Sequence, residues 1–196
     1  MDQILSKGDL NKFYDDYERS SSILTLFFMT ITFGLYIINW LYLTNKIFSK
    51  YDENAPNQNR GAVLTVIFPT VWLIFAWMMD NIGFANSELF AMVKTIGWLT
   101  IMMLILKYFY DFCLTFSRFT RSNELVWYYS LFPGMIFYVL VPLTFWYESL
   151  FVWFSYPFLF FTTIGIAAMQ AKLNTEKDIF DIKEGEGKFY ERGRIA

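Results

Sequence analysis

Lys107 and Asp111 stand four residues apart, so on a helix they share one face and can pair. Buried inside a membrane, such a pair is the starting point for an ion path or a coupling site. At the membrane surface it is an exposed contact worth a few tenths of a kcal/mol. Arg118 and Arg121 follow soon after, which favours the surface position and makes Lys107 and Asp111 candidate membrane-interface charges. Asp80, Glu88 and Glu148 can attract cations, but isolated carboxylates do not make a site.

Other chemistry is excluded by what the chain lacks. There is no histidine, which removes His-ligated haem, Ser/His/Asp triads, HExxH zinc sites and the usual proton shuttle near neutral pH. The single cysteine, Cys113, has no partner for an internal disulfide or a CxxC pair, and reads as a small membrane-buried residue. Gly185-Glu-Gly-Lys188 lacks the strand, spacing and hydroxyl of a phosphate-binding loop. No catalytic, metal or cofactor-binding residue emerges, and the chain reads as a non-enzyme without a cofactor.

The elements that carry these residues are membrane helices. At 56% hydrophobic and 22% aromatic, with 23 phenylalanines and seven tryptophans, the 196 residues hold more apolar side chain than a water-soluble core could hide. Sixteen basic against 18 acidic residues leave no electrostatic footprint for nucleic acid. The aromatic side chains could line an apolar ligand groove, but on membrane helices they more often face lipid or a partner.

The reading is an all-α integral membrane protein of about five transmembrane helices. Residues 1–22 form a polar N-terminal tail, 23–170 the transmembrane domain and 171–196 a polar, partly disordered cytoplasmic tail. No cleavable signal is visible in the acidic start. The expected spans are 23–43, 62–79, 89–106, 125–145 and 150–169, each about long enough for a hydrocarbon core of ~30 Å. Pro69 should kink the second, and Pro133, Pro142 and Pro157 the last two. Gly34, Gly97 and Gly165 are candidate helix-packing positions, where a missing side chain lets backbones approach.

Basic residues flank the loop 44–61, the segment 107–124 and the C-terminal tail, which should therefore be cytoplasmic, with the turns at 80–88 and 146–149 outside. Five crossings then put the N-terminus outside, despite Lys7, Lys12 and Arg19. The alternative is four crossings with a re-entrant or interfacial first element, broken near Thr32, Phe33 and Gly34. Five crossings are preferred.

Thr30-Ile-Thr-Phe-Gly-Leu-Tyr-Ile-Ile-Asn-Trp-Leu-Tyr-Leu-Thr-Asn-Lys46, with Gly34, Tyr36 and Trp40 as landmarks, resembles a family of bacterial membrane proteins, domain of unknown function 4234. That family has a Gly-x-Tyr element and a downstream aromatic, then a polar loop and a second apolar helix, which the chain through Met79 also resembles. The resemblance implies a small multi-pass protein of the bacterial inner membrane and transfers no catalytic residue. Abundant aromatic surface without a convergent polar site points to a non-catalytic accessory or assembly subunit of a larger membrane complex. A small channel or transporter is the alternative, and a membrane-embedded enzyme the weaker third. The expected partners are the lipid bilayer and larger membrane subunits, with a homo-oligomer left open.

Overall fold

The computed structural model describes residues 7–32, 35–82, 88–147 and 150–192, which are almost wholly helical with no strand among them. The chain runs through α1 (Lys7–Asp16), α2 (Ser22–Ile31), α3 (Leu35–Tyr51) and a one-turn α4 (Arg60–Ala62). A π-helical turn (Val63–Ile67) leads into α5 (Phe68–Asn81), followed by α6 (Glu88–Thr120), α7 (Glu124–Tyr147) and α8 (Leu150–Arg192). Two stretches, Val63–Asn81 and Glu88–Thr120, are long and apolar enough to cross a membrane.

The N-terminal segment differs from the polar tail expected of it. Leu10, Phe13 and Tyr14 form one stripe on α1, Tyr17 continues it just past the helix end, and all four are buried. Phe13 packs 4.4 Å from Phe119 of α6 and 5.8 Å from Phe48 of α3, ring centre to ring centre. Tyr14 stacks on Phe180 of α8 and donates its hydroxyl to the Phe119 carbonyl at 2.6 Å. Asp15 and Asp16 are exposed on the outer face of this helix.

The apolar run expected as one span is two helices. Thr32 ends α2: its backbone N–H and its hydroxyl both donate to the Phe28 carbonyl, and its Oγ1 accepts the Tyr36 N–H at 3.0 Å. Gly34 lies outside the described residues. The ten residues of α2 rise only about 15 Å, half a hydrocarbon core. Phe28 and Tyr36 meet at 5.5 Å beside the break. At the opposite ends, Lys50 and Tyr51 of α3 both bond Asp16, and Asn174 of α8 donates to the Ser20 carbonyl at 2.7 Å. The chain thus enters and leaves the α2–α3 pair at the same end of the molecule.

Pro69 sits immediately after the π-helical turn, in the first turn of α5, within a run that is helical from Arg60 onward. By contrast, α7 runs through Pro133 and Pro142, and α8 through Pro157, without a break. Residues 148–149 between them lie outside the described residues.

At 33 residues α6 is about 50 Å long, well beyond one hydrocarbon thickness, and 107–120 is helix where a loop was expected. Its end is a Schellman cap: Arg121 takes φ 48° and the Ser122 N–H reaches the Ser117 carbonyl at 3.2 Å. Helix α8 likewise continues to Arg192 through the expected disordered tail. Lys172–Glu176 at 2.6 Å and Lys177–Asp181 at 2.8 Å are (i, i+4) pairs along it, and Leu173 is buried within the core.

Burial changes along α6. In its first half Leu89, Met92, Ile96, Leu99 and Met103 are exposed; in its second half Tyr108, Phe112 and Phe116 are fully buried. The exposed apolar residues of α2 and α5 belong with the first set, whereas Phe13, Phe48 and Phe119 belong with the second. An aromatic core therefore fills one end of the bundle, at the ends of α3 and α6 under α1.

Candidate functional site

The densest set of long-range polar contacts lies where α1, α3 and α8 meet. Gln170 is the centre of it. Its carbonyl accepts the Trp40 indole N–H at 2.7 Å, and its amide donates to the Tyr17 hydroxyl at 2.5 Å and to Asn174 Oδ1 at 3.1 Å. Tyr17 in turn donates to Asn174 Oδ1 at 3.2 Å, while the Asn174 amide holds the Ser20 carbonyl. Burial pushes the Tyr17 hydroxyl up to about 12 and raises Tyr14 as well, so both stay neutral donors near neutral pH. Beside the network, Asn45 of α3 donates to the Tyr108 hydroxyl of α6 at 2.7 Å.

Ion pairs tie the same end together. Arg118 Nη1 lies 2.8 Å from Asp52 Oδ2, with Asp52 only 5% exposed and Arg118 17%. The other oxygen of Asp52 accepts the Asn54 N–H at 2.9 Å, so one carboxylate shapes the loop after α3 and fastens it to α6. Asp16 is held below the usual carboxylate range by hydrogen bonds from Lys50 and then Tyr51. Arg19 bridges Asp178 at 2.8 Å and Asp181 on the outer face of α8.

The residues singled out from the sequence are scattered rather than convergent. Lys107 Nζ lies 3.3 Å from Asp111 Oδ1, with Lys107 64% exposed and Asp111 24%. Arg60 approaches the second Asp111 oxygen at 3.8 Å, so the carboxylate sits between two cations on the surface. Asp80, expected to be isolated, pairs with Lys94 at 2.8 Å, and the Lys94 ammonium also lies 4.9 Å from the centre of the Phe90 ring. Glu148 lies outside the described residues. Gly97 faces Trp72 of α5, where an added Cβ would fall 2.1 Å from the ring, and Gly165 faces α7, where a Cβ would fall 2.5 Å from the Ser130 carbonyl.

No protein-family model matches the chain, and comparison with curated proteins and with solved structures finds no match.

Among the described residues, the arrangement holds elements together through buried polar contacts. Among the described residues no three Cys, Asp or Glu side chains converge as a metal would require. Cys113 is buried, and burial disfavours its thiolate. The Tyr17, Trp40, Gln170 and Asn174 network was missed in the sequence because its members lie on three elements up to 157 positions apart. The local signal was the apolar stripe of α1, which announces a helix that must dock somewhere.

Proposed function

We propose that this chain is a non-catalytic accessory or assembly subunit of a larger complex in the bacterial inner membrane. It crosses the bilayer four times, through the Val63–Asn81 stretch, the first half of α6, α7 and the apolar part of α8, with α2 and α3 as a re-entrant pair on the cytoplasmic side. The aromatic core, α1 and the polar half of α8 then form a cytoplasmic cap, and the basic residues of the loop 44–61 and the tail lie on that side. The likeness of residues 30–46 to domain of unknown function 4234 supports the inner membrane as its location.

The carrying observation is the broad apolar face of α5 and α6. Val71, Ile74, Trp77 and Met78 of α5 and Met92, Ile96, Leu99 and Met103 of α6 are all exposed. Lys94 and Asp80 close on each other between the two helices. Such a face meets lipid or another membrane protein, and helix association there depends on packing of small and aromatic surfaces.

The test is purification in mild detergent followed by native mass measurement. A fixed stoichiometry with larger membrane subunits, lost when Ile96 and Leu99 are both replaced by Ala, is the expected result. A solitary monomer or homo-oligomer that conducts ions or turns over a substrate would sink the reading.

A further inference from the structure

The helical run 60–81 is not uniform: α4, the π-helical turn (Val63–Ile67) and α5 follow one another without a break. A π turn holds about one residue more than an α turn, and one residue is worth ~100° of rotation. The turn therefore sets which face α5 shows to α6. As it stands, Trp72 lies against Gly97, Ala76 one turn further on is buried, and Val71, Ile74, Trp77 and Met78 are exposed. The cause of the wide turn is local. In a regular helix the Pro69 ring would press on the Thr65 carbonyl four residues back, and widening the turn relieves that contact.

Buried polar groups on both sides of the turn are left unsatisfied. Before it, Asn45 of α3 is fully buried and donates to the Tyr108 hydroxyl at 2.7 Å, and that hydroxyl stands where a Cβ on Gly61 would collide with it. Among the described residues nothing bonds Asn45 Oδ1. Beyond the turn, the Trp72 indole N–H is buried and likewise without an acceptor. A buried donor or acceptor without a partner keeps its desolvation cost, so the arrangement that Pro69 favours is opposed by the polar groups around it. Thr65, whose hydroxyl donates to the Gly61 carbonyl at 2.6 Å, spans the turn between them.

We propose that the π turn is a register switch. Helix α5 exchanges between the π register and an all-α register turned by ~100°, and a membrane protein docked on Val71, Ile74, Trp77 and Met78 holds the π register. In the α register each residue of α5 takes the direction that its successor has now. Val71 then lies against Gly97 and Phe75 takes the place of Ala76, so the contact still holds one ring and one small side chain. Trp72 leaves the interface, which frees its N–H. Asp80 turns away from Lys94, so the Asp80–Lys94 pair at 2.8 Å is a latch on the π register. The switch rests on the reading of the α5 face as a contact surface, and adds that the surface is displayed in one register only.

The test is electron paramagnetic resonance of a nitroxide on Val71→Cys, in a Cys113→Ala background, with the full chain in nanodiscs of phosphatidylethanolamine and phosphatidylglycerol. In the π register the probe faces lipid and is mobile; in the α register it is pinned against α6. The chain alone should show both components. Pro69→Ala removes the ring contact and should raise the pinned-to-mobile ratio about tenfold. Trp72→Phe removes the unpaired N–H but keeps a ring, and should lower the ratio about threefold. Deletion of Val66 takes out the extra residue and should leave the pinned component alone. If that variant does not fold, the opposite shifts of the two substitutions carry the test. One component throughout, a ratio that neither substitution moves, or shifts in the same direction would overturn the switch. The measurement uses no partner, so its failure leaves the contact-surface reading standing. A chain that purifies alone sinks that reading and leaves the nitroxide result unaffected, whereas a chain that does not enter nanodiscs overturns both.

Discussion

At the scale of single residues, the molecule is governed by a few close contacts that leave no room for change. Gly165 is the least forgiving: its neighbour is the Ser130 backbone carbonyl, which cannot rotate away as a side chain would. Gly165→Ala should force α7 and α8 apart and cost about 1–3 kcal/mol, read as a lower midpoint in denaturant titration of the detergent-solubilised protein. An unchanged midpoint would mean that the two helices pack less closely than described. Tyr17 yields a pH prediction. Its folded value, about 12, lies above the ordinary tyrosine range because burial penalises the anion. Stability from this group is fully present below about pH 10, where unfolded tyrosine is still neutral, and is lost as pH rises through the folded value. Alkali should therefore release α1, seen as proteolysis of the N-terminal segment in step with tyrosinate absorbance, and Tyr17→Phe should shift the release to higher pH. Release at the same pH in both proteins would assign it to another group. The Lys107–Asp111 pair was legible from its spacing, but Arg60 beside it was not, since 51 positions of chain separate Arg60 from Asp111 and spacing speaks only for one helix.

At the scale of elements, the apolar runs located the helices but not their ends. Run length reports how much of a helix can face lipid, whereas a helix continues wherever capping and packing sustain it. So α6 passes its apolar half and keeps going for 107–120, because Tyr108, Phe112 and Phe116 have α3 and α1 to pack on. The C-terminal extension of α8 has Leu173 in the core and Phe180 against Tyr14 for the same reason. In the first run, hydropathy could not distinguish one crossing from a ten-residue helix followed by a longer one, because Thr32, whose hydroxyl bonds across the end of α2, is only weakly polar. The N-terminal helix was hidden by the five acidic residues of the first 22, although its apolar spacing was in plain view. The end of α6 carries its own prediction: Arg121 occupies the left-handed region at the position where glycine is usual. Arg121→Gly should stabilise the protein by about 0.5–1 kcal/mol, checked by the same denaturant titration, and a loss of stability would show that the arginine side chain holds the turn by contacts of its own.

At the scale of the whole molecule, one geometric fact organises the rest: the two ends of the α2–α3 pair lie together. Asp16 meets Lys50 and Tyr51, Phe13 meets Phe48 and Phe119, and Tyr17 meets Asn174. If these groups share an aqueous compartment, α1, the loop around Asn57 and the extension of α8 form one cap, and the first apolar run returns to the side it entered from. Five crossings would separate α1 from its partners by the thickness of the bilayer. The decisive measurement is thiol accessibility in intact cells, with single cysteines at Lys12, Asn57 and Asn81 in a Cys113→Ala background. The account predicts that an impermeant reagent labels the Asn81 position alone, and that Lys12 and Asn57 become reactive together once the membrane is opened. Labelling at Lys12 in intact cells, with Asn57 still protected, would contradict it.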